Sequence, residues 1–327
     1  MRGLSIAGAL LLLAGCASTA GGPPRAAVVG ESDDFIVVLT RGPETADSLA
    51  RAHLGDAAKA WMIEDYNGAR AFPAGQRVVI PRRPWNVSGV EATGYQLVPI
   101  LVYHNLAAQS KGRLVLGADA FAEQMRYLKR EGYRVATLTQ FVEWTQLKRQ
   151  LPRKSVVLTF DDGYHSFRDY AYPVLKELGF PATLFVYTDY VGASRNALSW
   201  DDLKTLAAEG FEVQAHSKTH GDLRRAVGET DAQYTRRMQA ELAEPLRLFQ
   251  RQLGREVPFL AFPYGRADDP LLARVRAQGY VAAFTVRRES NASFVRALQI
   301  SRSQIYSEMT LEQFVQNLNL FHAEDLR

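Results

Sequence analysis

From residue 97 to the C-terminus, short apolar runs alternate with amphipathic segments, and few folds accommodate such a pattern. The runs are Leu97–Tyr103, Ser155–Phe160, Ala182–Tyr187, Phe211–Ala215, Phe259–Phe262, Val281–Val286 and Leu298–Ile305. Each has strand length, and most show little polar interruption, as parallel strands covered on both faces require. Helical periodicity fills most of the gaps, over Ala118–Arg130, Ser166–Leu178, Trp200–Glu209, Asp231–Leu253, Asp268–Gln278 and Leu311–Phe321. Thr230 and Gln233 have capping-box spacing at the start of the longest of these, and Pro245 predicts a kink within it. Strand and helix in alternation predict an α/β fold with a parallel sheet, and seven repeats predict closure into a (β/α)7 barrel rather than an open sheet.

Such a barrel gathers its reactive groups on the loops that follow the C-terminal ends of the strands. His104 follows the first run, Asp161-Asp162-Gly163 ends the second, His216 ends the fourth, Pro263-Tyr264-Gly265 follows the fifth, and Arg302 lies in the last. Most of the unusual polar residues of this region therefore fall on one predicted rim. His216 and His220 are four residues apart, a spacing that lets two imidazoles face one ion, and two His with a carboxylate form a common catalytic zinc set. Asp161 and Asp162 are adjacent at a strand end and point in different directions, so one can hold a metal while the other takes a proton from water. An Asp-Asp-Gly turn can also serve as a helix N-cap. Arg302 is a candidate for orienting a carboxylate, and Trp200 for contacting substrate.

Thr159-Phe160-Asp161-Asp162-Gly163, then His216-Ser217-Lys218-Thr219-His220, then Phe262-Pro263-Tyr264-Gly265 together resemble the polysaccharide deacetylase family, also called carbohydrate esterase family four or the NodB-homology family. The resemblance covers about Leu97 to Arg327. It implies a distorted (β/α)7 barrel, with Asp161 as general base, Asp162, His216 and His220 as ligands of a divalent metal (zinc before cobalt or nickel), and the Tyr264 backbone N–H on the oxyanion. Two departures stand out. The Arg that the family usually carries two residues before the Pro is Ala261 here, and the usual C-terminal Leu-x-His is absent. Pro99-Ile100-Leu101-Val102-Tyr103-His104 resembles the opening strand of the circularly permuted branch that includes bacterial poly-N-acetylglucosamine deacetylases, which implies His104 as the general acid. The activity implied is de-N-acetylation of an N-acetylglucosamine-containing polysaccharide, an exopolysaccharide first, with peptidoglycan or chitooligosaccharides as alternatives. A noncatalytic glycan-binding lipoprotein is the competing reading from another class.

The first part of the chain places that chemistry. Arg2, an apolar stretch from Leu4 to Ala14 and Leu13-Ala14-Gly15-Cys16 read as a signal peptide over 1–15, too short for a membrane span. The tetrad resembles the bacterial lipobox, which implies a lipidated Cys16, secretion across the inner membrane and, with Ala17 next, anchoring at the outer membrane facing the periplasm. Cys16 is the single Cys of the 327 residues, so an intrachain disulfide is excluded. Residues 16–33 read as a tether, 34–82 as a strand, two short helices and a strand, and 83–96 as a linker. That βααβ order, with Ala60-Trp61, Tyr66-Asn67 and the closing Gly75-Gln76-Arg77-Val78-Val79-Ile80-Pro81, resembles the LysM module and implies contact with peptidoglycan or a related glycan. The net charge of +4 comes from scattered Arg rather than a basic block, which argues against a nucleic-acid partner.

Overall fold

The computed structural model describes residues 26–327. Cys16 and the signal segment lie outside the described residues. The chain divides between Arg83 and Pro84 into two units. Among the described residues no helix is long and apolar enough to cross a membrane.

In the first unit, the strands Phe35–Leu39 and Arg77–Pro81 pair antiparallel, with helices Ala46–Leu54 and Ala60–Asn67 between them in sequence. Alternate residues of the two strands, Ile36, Val38, Val78 and Ile80, join Leu49, Ala50, Ile63 and Phe72 in a core of their own. Thr45 caps the first helix reciprocally with Ser48. Asn67 ends the second helix and ties it to the sheet: its amide nitrogen donates to the Ile63 and Val79 carbonyls, and its oxygen accepts from Val79 N–H. Three such bonds contribute about 0.5–1.5 kcal/mol each. Residues 27–31 are not tether. Ala27–Glu31 forms an edge strand antiparallel to Phe35–Leu39, with a turn in which Ser32 Oγ accepts from Asp34 and Phe35 N–H. Backbone pairing rather than side-chain burial holds it, since Val28 and Val29 are exposed, and apolar periodicity therefore gave no sign of it.

The second unit is built on seven parallel strands: β1 (Ile100–Tyr103), β2 (Ser155–Asp162), β3 (Thr183–Val186), β4 (Glu212–Ala215), β5 (Phe259–Ala261), β6 (Ala282–Phe284) and β7 (Ser303–Gln304). Their order is β6-β5-β4-β3-β2-β1-β7. The segment leading into β7 reaches back to β6, with Ile300 bridging Phe284 and donating its N–H to the Ala283 carbonyl. The sheet thus closes on itself as the distorted (β/α)7 barrel expected from the repeat pattern. All eight residues of β2 are buried. Its pleat sends Val156, Leu158 and Phe160 to the helical layer and Val157, with Ile100, Phe185, Phe259 and Phe284, to the interior. By the same alternation Thr159 and Asp161 face inward, so the strand's period aims one carboxylate into the barrel.

Two helices change pitch just before a Pro. Phe167–Ala171 and Gln239–Ala243 adopt π geometry ahead of the α segments Tyr172–Leu178 and Glu244–Leu253, which carry Pro173 and Pro245 at their starts. Proline has no N–H for the i→i−4 bond, and the register slips to i→i−5, as in Tyr172 N–H to Phe167 O. The expected Thr230–Gln233 capping box forms.

Two further expectations are corrected. Residues 84–96 are no linker: Trp85 and Asn86 N–H donate to Gln150 Oε1, and Val90–Glu91 pairs with Gly94–Gln96. The final helix stops at Val315 instead of reaching Phe321, because the Asn317 amide donates to the Gln313 and Phe314 carbonyls. Phe321–Ala323 is instead a strand antiparallel to Gly94–Gln96, so close that a Cβ at Gly94, whose φ is 141°, would run into the His322 carbonyl oxygen. A further helix, Leu138–Thr145, plugs the barrel interior with Leu138, Phe141 and Trp144. It spans only two turns, and its one sequence signal is the Thr137–Gln140 capping box.

Candidate active site

The strand ends bring Asp162, His216 and His220 together. Asp162 Oδ1 lies 3.2 Å from His220 Nε2 and 3.5 Å from His216 Nε2, and the potential ligand atoms of the three fall within 4.8 Å of one another. Asp162 Oδ1 is buried and makes no hydrogen bond among the described residues. His216 Nδ1 lies 2.8 Å from the Ala261 carbonyl, a bond that fixes the tautomer with Nε2 unprotonated and turned toward the carboxylate. A buried carboxylate oxygen without a partner, facing two imidazole nitrogens, fits a divalent cation with nitrogen and oxygen preferences.

Asp161 sits beside this triangle, its Oδ2 3.8 Å from His216 Nε2. The Arg that the family motif would place at position 261 is supplied from β7's approach. Arg302 is fully buried; its Nη1 and Nη2 donate to Asp161 Oδ1 and Oδ2 at 2.7 Å each, Nη1 also reaches Thr159 Oγ1, and Nε donates to the Thr285 carbonyl. The guanidinium lies over the Phe185 ring at 5.1 Å. Burial pushes the Asp161 carboxyl up, but the Arg302 charge, His216 and the Arg302 hydrogen bonds outweigh it and hold it at about 2. Asp161 is therefore ionised at neutral pH and able to accept a proton. Asp162 is also held low: burial raises it, while the neighbouring His216 and His104 lower it further than burial raises it.

His104 follows β1 on the same rim, in the field of Asp161, Asp162, Arg302 and His216, and its buried Nδ1 has no partner among the described residues. Burial lowers its pKa, against the pull of the two carboxylates. Tyr264 stands at the rim, 57% exposed, its ring 4.8 Å from that of His220, which also meets the rings of His216 at 4.8 Å and Tyr187 at 5.1 Å. Trp200 is not brought into the cluster by any described contact; it starts the helix Trp200–Ala208 and packs edge-on to Phe249 in the helical layer.

Backbone strain marks the same place. Five non-glycine residues have positive φ among those described, and four of them are Asp162, Ser217, His220 and Tyr264. Such conformations cost about 1–3 kcal/mol each and persist where surrounding structure enforces them. The enforcement is visible: Gly265, at φ 67°, packs so tightly on Val286 that no side chain could be added there, and Ser217 Oγ accepts from His220 N–H.

Residues 148–283 match the sequence model of the polysaccharide deacetylase family. That segment, less than half of the chain, is a polysaccharide deacetylase domain. Among solved structures the deacetylase domain resembles the Streptococcus pyogenes deacetylase PplD in complex with acetate, with a TM-score of 0.62 and 26% identity, covering 69% of this chain and 100% of that one. The Bacillus subtilis protein YxkH is 29% identical over 188 residues, 58% of this chain and 64% of the relative. The poly-beta-1,6-N-acetyl-D-glucosamine N-deacetylase of Staphylococcus epidermidis is 27% identical over 179 residues, 52% of this chain and 61% of the relative. The chain thus spans less than two thirds of the length of these two relatives. Of the residues singled out from sequence, Asp161, Asp162, His104, His216, His220, Tyr264 and Arg302 all belong to this rim.

Proposed function

We propose that the protein is a metal-dependent hydrolase that removes acetyl groups from an N-acetylglucosamine-containing polysaccharide at the bacterial cell envelope, an exopolysaccharide before peptidoglycan or chitooligosaccharides. The observation that carries this reading is the Asp162–His216–His220 triangle beside an Asp161 ionised by Arg302. Asp162, His216 and His220 would hold the cation, zinc before cobalt or nickel. Bound there, it would supply positive charge that polarises an acyl carbonyl and acidifies water. Asp161 takes the proton of the attacking water, and Arg302 keeps both its oxygens in place. The Tyr264 N–H, in a turn with φ 59°, would receive the developing oxyanion. His104 gives a proton to the departing amine, and burial makes its charged form the stronger acid. The name of the staphylococcal relative supports a β-1,6-linked polymer as the first substrate to try.

Cys16 would anchor the chain by a lipid, and the first unit, with its LysM-like order, would hold glycan near the site. The deciding measurement is acetate release by zinc-loaded protein from poly-β-1,6-N-acetylglucosamine, chitooligomers and peptidoglycan in parallel. Acetate should appear with free amines and without shortened chains. Absence of acetate from all three, or shortened chains without free amines, would sink the proposal.

A further inference from the structure

A carboxylate that belongs to neither the triangle nor the base holds the loop on which both imidazoles sit. Glu241 is buried, 6% exposed, and lies in the π segment Gln239–Ala243. Its Oε2 accepts from the Lys218 and Thr219 backbone N–H at 3.1 and 3.0 Å, and its Oε1 accepts from Thr219 Oγ1 at 2.7 Å. Two consecutive N–H groups converging on an anion form a nest, and hydrogen bonds to a charged acceptor are stronger than those between neutral groups. The Lys218 ammonium does not compete for Glu241, being taken by Asp189 at 2.7 Å.

The loop needs such a hold. Between His216 and His220 the chain runs through Ser217 at φ 68° and returns at His220 with φ 63°, both left-handed. Lys218 and Thr219 are the two residues between these strained points. The π turn supplies the aim: one extra residue in a helix rotates everything beyond it by about 100°, so an uninterrupted α-helix from Asp231 would not present Glu241 and the following helix to their present neighbours together. Pro245 lacks the N–H that would have bonded the Glu241 carbonyl in α register, and so it enforces the slip.

We infer that Glu241 is a positioning residue for the cation site, clamping the 216–220 loop in the strained shape that sets His220 against Asp162. The inference rests on the proposed metal-dependent reading. It is tested by titrating zinc into metal-free wild type and into Glu241→Ala, Glu241→Gln and Leu242→Ala, with thermal melting of each. Leu242 is a fully buried core neighbour that does not touch the loop bonds given above. Loss of an outer support of this kind weakens metal binding by about 10–100-fold. Glu241→Ala should show that loss. Glu241→Gln, which retains an acceptor for the nest, should show a smaller one, and Leu242→Ala should melt earlier while binding zinc as wild type does. If Glu241→Ala fails to fold, Glu241→Gln alone decides by the same readout. Wild-type zinc affinity in the Glu241 variants, or a loss in Leu242→Ala equal to theirs at equal melting temperature, overturns the clamp. A wild type that binds no zinc overturns both the clamp and the metal-dependent reading, whereas one that binds zinc but releases no acetate overturns only the activity.

Discussion

Asp161 and Asp162 show how a single position along a strand decides a role. Asp161 continues the inward face of β2 and meets Arg302, while Asp162, one residue on, turns to φ 76° and meets the imidazoles. Asp161→Asn should therefore keep zinc affinity within a few-fold and lose acetate release by about 100-fold or more, whereas His216→Ala should lose both; calorimetric titration beside an acetate assay separates them. Arg302→Met leaves a buried carboxylate unpaired, which costs about 3–5 kcal/mol. Chemical denaturation should show that loss, with kcat falling more than KM changes. For His104→Ala we expect unchanged zinc binding and turnover slowed by about 100-fold. Wild-type turnover in that variant would move the acid elsewhere on the rim.

At the scale of elements, the loops that carry the site are held from behind. The Phe262–Gly265 turn closes against Val286, so Gly265→Ala should displace the Tyr264 N–H and lower kcat by at least tenfold while the helical signal in circular dichroism persists. The loop after His220 is pinned by Arg237, which donates to both oxygens of Glu229 and to the Asp222 and Arg224 carbonyls. Arg237 holds the Glu229 carboxyl down from 4.5 to about 2, against a smaller opposing effect of burial. A depressed folded-state pKa means that this pair stabilises the fold above about pH 4.5 and ceases to do so as pH falls toward 2. The melting temperatures of wild type and Arg237→Met should differ at pH 6 and converge as the pH approaches 2; a constant gap would show that the pair's charge is not what matters.

At the scale of the whole molecule, each unit has its own core. The first packs Val38, Leu49, Ile63 and Ile80, and the clusters of the second draw on none of these residues. Residues 84–327 should fold alone, melt cooperatively and deacetylate short oligomers, and removing residues 1–83 should raise KM for polymer only. The C-terminal strand belongs to the second unit, since Phe321–Ala323 pairs with Gly94–Gln96. Deleting residues 321–327 should lower the melting temperature measurably, by scanning calorimetry.

The sequence by itself determined whatever depends on local spacing. Strand and helix periods gave the barrel and its seven strands, because burial on two faces leaves a continuous apolar run and burial on one stripe leaves a helical one. Asp161-Asp162 and His216–His220 were legible for the same reason: each pair lies within five residues of chain at a strand end. Only the tertiary structure decided what meets across the barrel. Arg302 reaches Asp161 over 141 residues of sequence, and nothing near Ala261 announces it. Glu241 grips Thr219 from 22 residues away through a π turn whose only local trace is Pro245. The edge strands Ala27–Glu31 and Phe321–Ala323 were hidden because backbone pairing, not side-chain burial, holds them. Such pairings are fixed by closure of a sheet, and that is a property of the folded chain.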